Sequence, residues 1–147
     1  MVERSYDREA LANALSMYED MVSEDFDIDE WLDDKKNIVL KEGDSLGLFE
    51  YEYNGVYSAH YAFSVRGRAA IDLSRRMLNE MFARHGAKAI RGMTPIENRA
   101  ARWMNRQIGC TSQGVFVTPV GTYELVTITL HEFYHNDKNK IKIEDEE

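Results

Sequence analysis

Apolar side chains recur at helical spacing in four stretches of this chain, and the segments between them alternate. In residues 7–22, Leu11, Leu15, Tyr18 and Val22 follow one another at intervals of four, three and four, one face of an amphipathic helix. A shorter second helix is predicted within residues 25–34, with Phe26, Ile28, Trp31 and Leu32 apolar and Asp27 or Asp29 as its cap. The period then drops to two. Residues 37–41 read as a strand and Glu42-Gly43-Asp44 as a turn. Residues 45–53 form a longer strand, with Phe49, Tyr51 and Tyr53 on one face and Leu46, Leu48, Glu50 and Glu52 on the other. Asn54-Gly55 between two alternating runs predicts a tight hairpin to residues 56–63, because both central residues of a type I′ turn need positive φ.

A third helix is predicted from about residue 68 to 84, with Ile71, Ser74, Met77, Leu78, Met81 and Phe82 as its buried stripe and Gly86 just past its end. Residues 89–93 form a short strand. Thr94-Pro95-Ile96-Glu97 has the grammar of a helix start: Thr as cap, Pro at the first position and Glu closing a capping box, with Asn98 as the alternative cap. Trp103, Met104 and Ile108 face inward along that helix, and Gly109 ends it. Residues 114–118 and 123–130 are strands joined by Pro119-Val120-Gly121. The pattern predicts one α+β domain over residues 1–135 and an acidic tail over 136–147, disordered or a short edge strand. The helix between the strand ending at Phe63 and the strand at 89–93 makes that pair parallel, with a right-handed crossover.

Charge changes this picture. The net charge is −8, but residues 1–64 carry 16 acidic and 5 basic side chains, residues 65–110 carry 3 and 10, and residues 111–147 carry 7 and 3. A basic island therefore sits in an acidic chain, able to attract phosphates locally while the whole repels nucleic acid. Arg75, Arg76, Arg84, Arg99, Arg102 and Arg106 fit solvated helix faces, whereas Arg66 and Arg68 flank a glycine at a helix start. Six of the ten residues 25–34 are acidic, which suits a solvated face or a rim accepting a basic substrate or partner. No apolar run is long enough to span a membrane. The polar N-terminus has neither a secretory nor a transit pattern, and the single Cys110 fits a reducing, cytoplasmic setting.

Three features bear on chemistry. A strand running through Val65 into Arg66-Gly67-Arg68-Ala69-Ala70 and then a helix points free amides, and the positive end of the helix dipole, at whatever lies above the strand end. A tight strand-to-helix turn with no ligand reads the same way. His131-Glu132-Phe133-Tyr134-His135 spells H-E-x-x-H, a zinc motif only on a helix. Here a Thr/Val/Ile run precedes it, which predicts a strand and argues against a metal site. His60, Glu50 and Glu52 are candidates for a general base by position alone, and Cys110 reads as a packing residue.

The segment from Arg66 to Cys110 resembles the acyl-CoA binding core of the GCN5-related N-acetyltransferase superfamily. The family's phosphate loop, Arg/Gln-x-x-Gly-x-Gly/Ala and often R-G-x-G-x-G, falls in register with Arg66-Gly67-Arg68-Ala69-Ala70-Ile71, with Ala69 in place of the first motif glycine and Ile71 in place of the small residue after it. Its later motif, N-x-x-A-x-x-x-Y-x-x-x-G-F, matches at Asn98, Ala101 and Gly109, with Asn105 at the tyrosine and Cys110 at the phenylalanine. The resemblance implies a mixed, splayed sheet flanked by helices, an acetyl-CoA pyrophosphate on residues 66–70, a pantetheine arm along the strand edge near Phe63–Val65, and Asn98 beside it. It implies an amine as acceptor, with no tyrosine to act as general acid. The chain also resembles short, divergent acetyltransferase-like proteins of tailed bacteriophages, which implies virion proteins as alternative partners and an assembly role for the fold.

Overall fold

The computed structural model describes residues 1–16, 27–136, 138 and 139. Among these residues seven strands form one sheet in the order β1-β2-β3-β4-β5-β7-β6. The strands are β1 (Glu3–Arg4), β2 (Ile38–Glu42), β3 (Ser45–Tyr53), β4 (Val56–Ala62), β5 (Ala89–Pro95), β6 (Thr111–Thr118) and β7 (Gly121–Thr129). The helices are α1 (Arg8–Ser16), α2 (Ile28–Asp33), α3 (Arg68–Arg84), α4 (Arg99–Ile108) and α5 (Leu130–His135). All neighbouring strands are antiparallel except β4 and β5, which are parallel and joined through α3, as the crossover argument requires. Among the described residues no helix is long and apolar enough to cross a membrane.

Period-two alternation places two cores on opposite faces of the sheet. Ile38, Leu40, Phe49 and Tyr57 join Ile71, Met77, Leu78, Met81 and Phe82 of α3, together with Ile108 and Phe133. Val39, Leu46, Leu48 and Ala62 point the other way, onto Leu11 and Ala14 of α1 with Ile28, Trp31 and Leu32 of α2 packed alongside. Leu11 and Leu15 therefore keep their expected face, while Tyr18 and Val22 lie outside the described residues. Asp27 caps α2, accepting the amides of Asp29 and Glu30. At the β3–β4 hairpin Asn54 and Gly55 have φ of 45° and 79°, the two positive values the Asn-Gly pair predicts.

The core is tight where β3 crosses α3. A Cβ on Gly47 would lie 2.6 Å from Met77 Sδ and 3.0 Å from Phe49 Cε2, both from fully buried side chains. We predict that Gly47→Ala lowers stability by about 2 kcal/mol through overpacking. Urea denaturation measures this directly, and a loss below half that value would show that Met77 moves aside freely.

The structure corrects several expectations. Thr94 and Pro95 do not start a helix: they continue β5, paired with Glu124 and Tyr123 of β7, and α4 begins after Asn98, whose Oδ1 accepts the Ala101 amide at 3.0 Å. The H-E-x-x-H run is not strand but α5. Thr129 and Glu132 cap each other's backbone there and turn the chain out of the sheet. Arg75 is not on a solvated face: it is 2% exposed, its Nε donating to Asn139 Oδ1 at 2.7 Å and its Nη2 to the Gln107 carbonyl at 3.0 Å. Three other arginines of that group are engaged as well, Arg76 with Glu42, Arg84 with Glu80 and Arg102 with Glu124. Trp103 is 41% exposed rather than inward. Asn139 is fully buried, so the chain past residue 135 still packs on the domain. The rest of the expected tail, residues 137 and 140–147, lies outside the described residues.

Candidate active site

The site follows from how β4 and β5 begin together and then part. They pair at only three positions, Val56 with Ala89, Tyr57 with Ile90 and Ser58 with Arg91. Beyond that, residues 59–62 and 92–95 diverge, and β4 has no partner on that side. Backbone groups at a parting sheet edge need partners, and the gap is a cavity of about 660 Å³. Its floor is apolar: Ile90, Ile108, Val126 and Ile128.

Where β4 ends, the chain turns into α3 through Val65-Arg66-Gly67. Gly67 has φ 61° and ψ −133°, a conformation nearly exclusive to glycine. Among the described residues, its two chain neighbours aside, no atom lies within 4 Å of where its Cβ would stand, so the turn is open there on its outer side. Among the described residues no side chain caps α3, and the first-turn amides have no carbonyl within the helix to bond. Phe63, Val65, Arg66, Gly67, Ala70 and Asn98 all line the cavity. Arg68 and Ala69 do not line it; they are exposed on the first turn of α3, at its mouth. Phe63 and Val65 lie beyond β4, so the unpaired strand edge is residues 59–62, slightly earlier than the sequence motif suggests. Ile71 is 1% exposed and belongs to the core, so its bulk does not obstruct the turn.

Asn105 lines the cavity where the motif has tyrosine, and its Nδ2 donates to Thr94 Oγ1 at 3.0 Å. It holds two walls together and carries no acidic proton. The protonated groups of the wall are Tyr61 and Cys110. Burial pushes both upward, Tyr61 well above the ordinary tyrosine range despite its bond to Ser74, and Cys110 to about 12. We predict that Cys110 in the folded protein reacts with iodoacetamide at pH 8 about a thousandfold more slowly than in urea, since only the thiolate attacks. Equal rates would show the thiol is not held in the apolar wall.

On the α1/α2 face of the sheet, which the first cavity also reaches through Ala14, Leu15, Trp31 and Leu48, the gap meets a second cavity of about 440 Å³. Glu50, Ala59, His60, Arg91, Gly92 and Met93 line both. Burial lowers the pKa of His60, against the pull of Glu50 and Glu52, so its ring is neutral at pH 7 and free to accept a proton. Glu52 is engaged by Arg91 Nη1 at 2.7 Å and by the Ser58 hydroxyl. Trp31 Nε1 reaches Glu50 at 3.5 Å. The sequence placed His60 and the two glutamates on strands but had no means of showing that they meet at one gap.

The two histidines of α5 do share a face, stacked with centroids 3.8 Å apart. Glu132, however, is committed to structure: it accepts from the Thr129 amide at 2.9 Å and from Thr111 Oγ1 at 2.8 Å, bonds that lower its pKa. Among the described residues no three His, Cys, Asp or Glu side chains cluster as metal ligands.

Seen as a three-dimensional shape, the chain is similar to a variant of the spermidine N-acetyltransferase SpeG from Vibrio cholerae. The match has a TM-score of 0.72 at 12% identity and covers 93% of this chain and 99% of that one. It is also similar to Mycobacterium smegmatis RimJ in complex with CoA-disulfide, with a TM-score of 0.69 at 13% identity over 99% and 88% of the two chains. An acetyltransferase of the GNAT family from Bacillus anthracis matches with a TM-score of 0.58 at 15% identity over 71% and 72%. No protein-family model and no curated protein matches the sequence. The likeness establishes the fold, the acyl-CoA N-acyltransferase sheet flanked by helices that the motifs imply.

Proposed function

We propose that this protein is an acyl-CoA-dependent N-acyltransferase, with acetyl-CoA as donor and an amine as acceptor. The observation that carries the reading is the early parting of β4 and β5 over a cleft whose mouth is the open Gly67 turn. The residues present fit the donor. The amides of the Gly67 turn and the first turn of α3 face outward beside Arg66 and Arg68, a cradle for a pyrophosphate. Ala69 adds one methyl group to that turn, and it points to solvent. The unpaired edge of residues 59–62, with Phe63 and Val65 beyond it, suits the amides of a pantetheine arm, and Asn98 flanks the arm while capping α4. Bound there, acyl-CoA supplies a thioester in the gap between the sheet's two faces. His60, neutral and reachable from the far face, is placed to take a proton from the attacking amine. The apolar floor excludes water, and the two sides of the gap orient the reactants, a contribution from proximity that needs no tyrosine acid.

Asn105 in place of a proton donor favours a second reading, a non-catalytic relative that keeps the fold as a binding or assembly module, in a virion as the phage resemblance implies. Isothermal titration separates the two. We predict that acetyl-CoA and CoA bind in the micromolar range and that Arg68→Glu, which reverses a charge beside the pyrophosphate, weakens both about tenfold. Absence of heat with either ligand would end the acyltransferase reading, and an unchanged affinity in the variant would move the phosphate site elsewhere.

A further inference from the structure

We infer that the cavity on the α1/α2 face of the β4–β5 gap takes an amine with a single positive charge and an apolar body, held by the carboxylate of Glu50. The inference rests on the acyltransferase reading for the fate of the amine, but not for its binding.

The polar wall of this cavity is Glu50, Glu52, Ser58, His60, Arg91 and Thr118. Glu52 is already neutralised by Arg91 at 2.7 Å and hydrogen-bonded by Ser58. His60 is neutral because burial lowers its pKa, against Glu50 and Glu52. Among the described residues the charge left over is that of Glu50, whose neighbour Trp31 offers a long neutral contact of 3.5 Å. One uncompensated carboxylate selects one ammonium group. A ligand with a carboxylate beside its amine would bring that group against Glu50 and Glu52, and the arginine able to receive it is closed by Glu52. A second ammonium group finds no second free carboxylate among the described lining residues. The opposite wall is Met93, Val120, Tyr123 and Leu125, with Met93 44% and Val120 78% exposed. Side chains of this kind cover an apolar or aromatic body by burying its surface.

His60 sits in the wall shared with the cleft. The bound ammonium loses one proton to a ring nitrogen of His60, and its lone pair then attacks the thioester carbonyl carbon. One N–C bond forms and one C–S bond breaks. The sulfur leaves with the bonding pair and takes up the second amine proton, so the products are an amide and a thiol, and His60 returns its proton to solvent.

The test is isothermal titration of the full chain at pH 7 with 2-phenylethylamine, phenylalanine, 2-phenylethanol and spermidine. The expected result is that 2-phenylethylamine binds about tenfold tighter than each of the others, and that Glu50→Gln removes this preference. Glu50 is exposed, so the substitution leaves the core intact. No binding of the amine, equal binding of the four compounds, tighter binding of spermidine or phenylalanine, or indifference to Glu50→Gln would each overturn the inference. Amine binding without acetyl-CoA binding would uphold this site while ending the acyltransferase reading. Acetyl-CoA binding without amine preference would do the reverse.

Discussion

Replacing Asn139 by alanine is expected to lower the stability of the fold by about 3 kcal/mol, although the residue lies past the last element of the sheet. The reason is Arg75. Its guanidinium is buried between α3 and the end of α4, bonded to Asn139 at 2.7 Å, to the Gln107 carbonyl at 3.0 Å and to Asp72 at 3.2 Å. Asn139 in turn donates to the carbonyls of Ile108 and Phe133, at 2.9 Å and 3.2 Å. Alanine would strand one arm of a buried cation and leave two buried carbonyls without this donor. Burial already lowers the pKa of Arg75, against the pull of Asp72, but arginine does not discharge, so the cost falls on folding. Urea denaturation of Asn139→Ala measures the loss. The control is the pair Asn139→Ala with Arg75→Met, which removes the stranded charge and should recover part of it. A loss below about 1 kcal/mol, or strict additivity of the two substitutions, would show that Asn139 does not serve Arg75. Because this network ties together the two helices that flank the cleft, the single variant should also weaken acetyl-CoA binding.

The same local signal was right once and wrong once, and the difference is tertiary. Thr129-x-x-Glu132 and Thr94-x-x-Glu97 both have the spacing of a capping box. At Thr129 the box forms at the last pair of β7, opposite Ala89 where β5 begins, so that the chain can turn out of the sheet. At Thr94 the neighbouring strand is still present. Thr94 and Pro95 pair with β7, and the Thr94 hydroxyl is taken by Asn105 eleven residues on. No window of a few residues contains that competition. Proline is tolerated because it comes at the end of its strand. The preceding Thr/Val/Ile run made residues 131–135 look like more strand, yet the capping pair beside it carried the contrary signal.

Hydrophobic period was a safer guide than local signature. The stripe of α3, the alternation of β3 and the Asn-Gly hairpin all describe long or strongly constrained segments, and each stands where the pattern put it. The site was legible only on one side. Arg66 and Gly67 stand in one motif and Asn98 opens a second, and the resemblance that carries both motifs already implied that they meet at one cleft. His60 and Glu50 meet Arg91 and Met93 across a gap that exists because two parallel strands separate after three pairs. Strand separation leaves no mark in composition or periodicity. Arg75 fails for a related reason. On a helix outline it is one more arginine beside the apolar stripe, and only its long-range partner Asn139, far along in a polar segment, makes burial tolerable.

The substitution expected to act most strongly on the cleft is Gly67→Val. At φ 61° and ψ −133° a β-branched residue is strained whatever space surrounds it, and here the space is open, so the penalty is conformational rather than steric packing. That strain is worth about 1–3 kcal/mol. The chain can relieve it only by rotating residues 66–68 away from the present turn, which withdraws the first-turn amides of α3 from the cleft mouth. Stability therefore falls modestly, while acetyl-CoA affinity should fall at least about thirtyfold, roughly 2 kcal/mol of binding free energy. Ala69→Gly offers the opposite sign. Removing one exposed methyl group from the same turn lets a pyrophosphate approach the backbone more closely, and acetyl-CoA should bind slightly tighter at a small cost in helix stability. Titration of both variants beside thermal unfolding separates the two quantities. If Gly67→Val unfolds earlier yet binds acetyl-CoA as the parent does, the turn shapes the fold and the phosphate lies elsewhere. If binding collapses while stability barely moves, the positive φ of this one glycine is kept for the ligand.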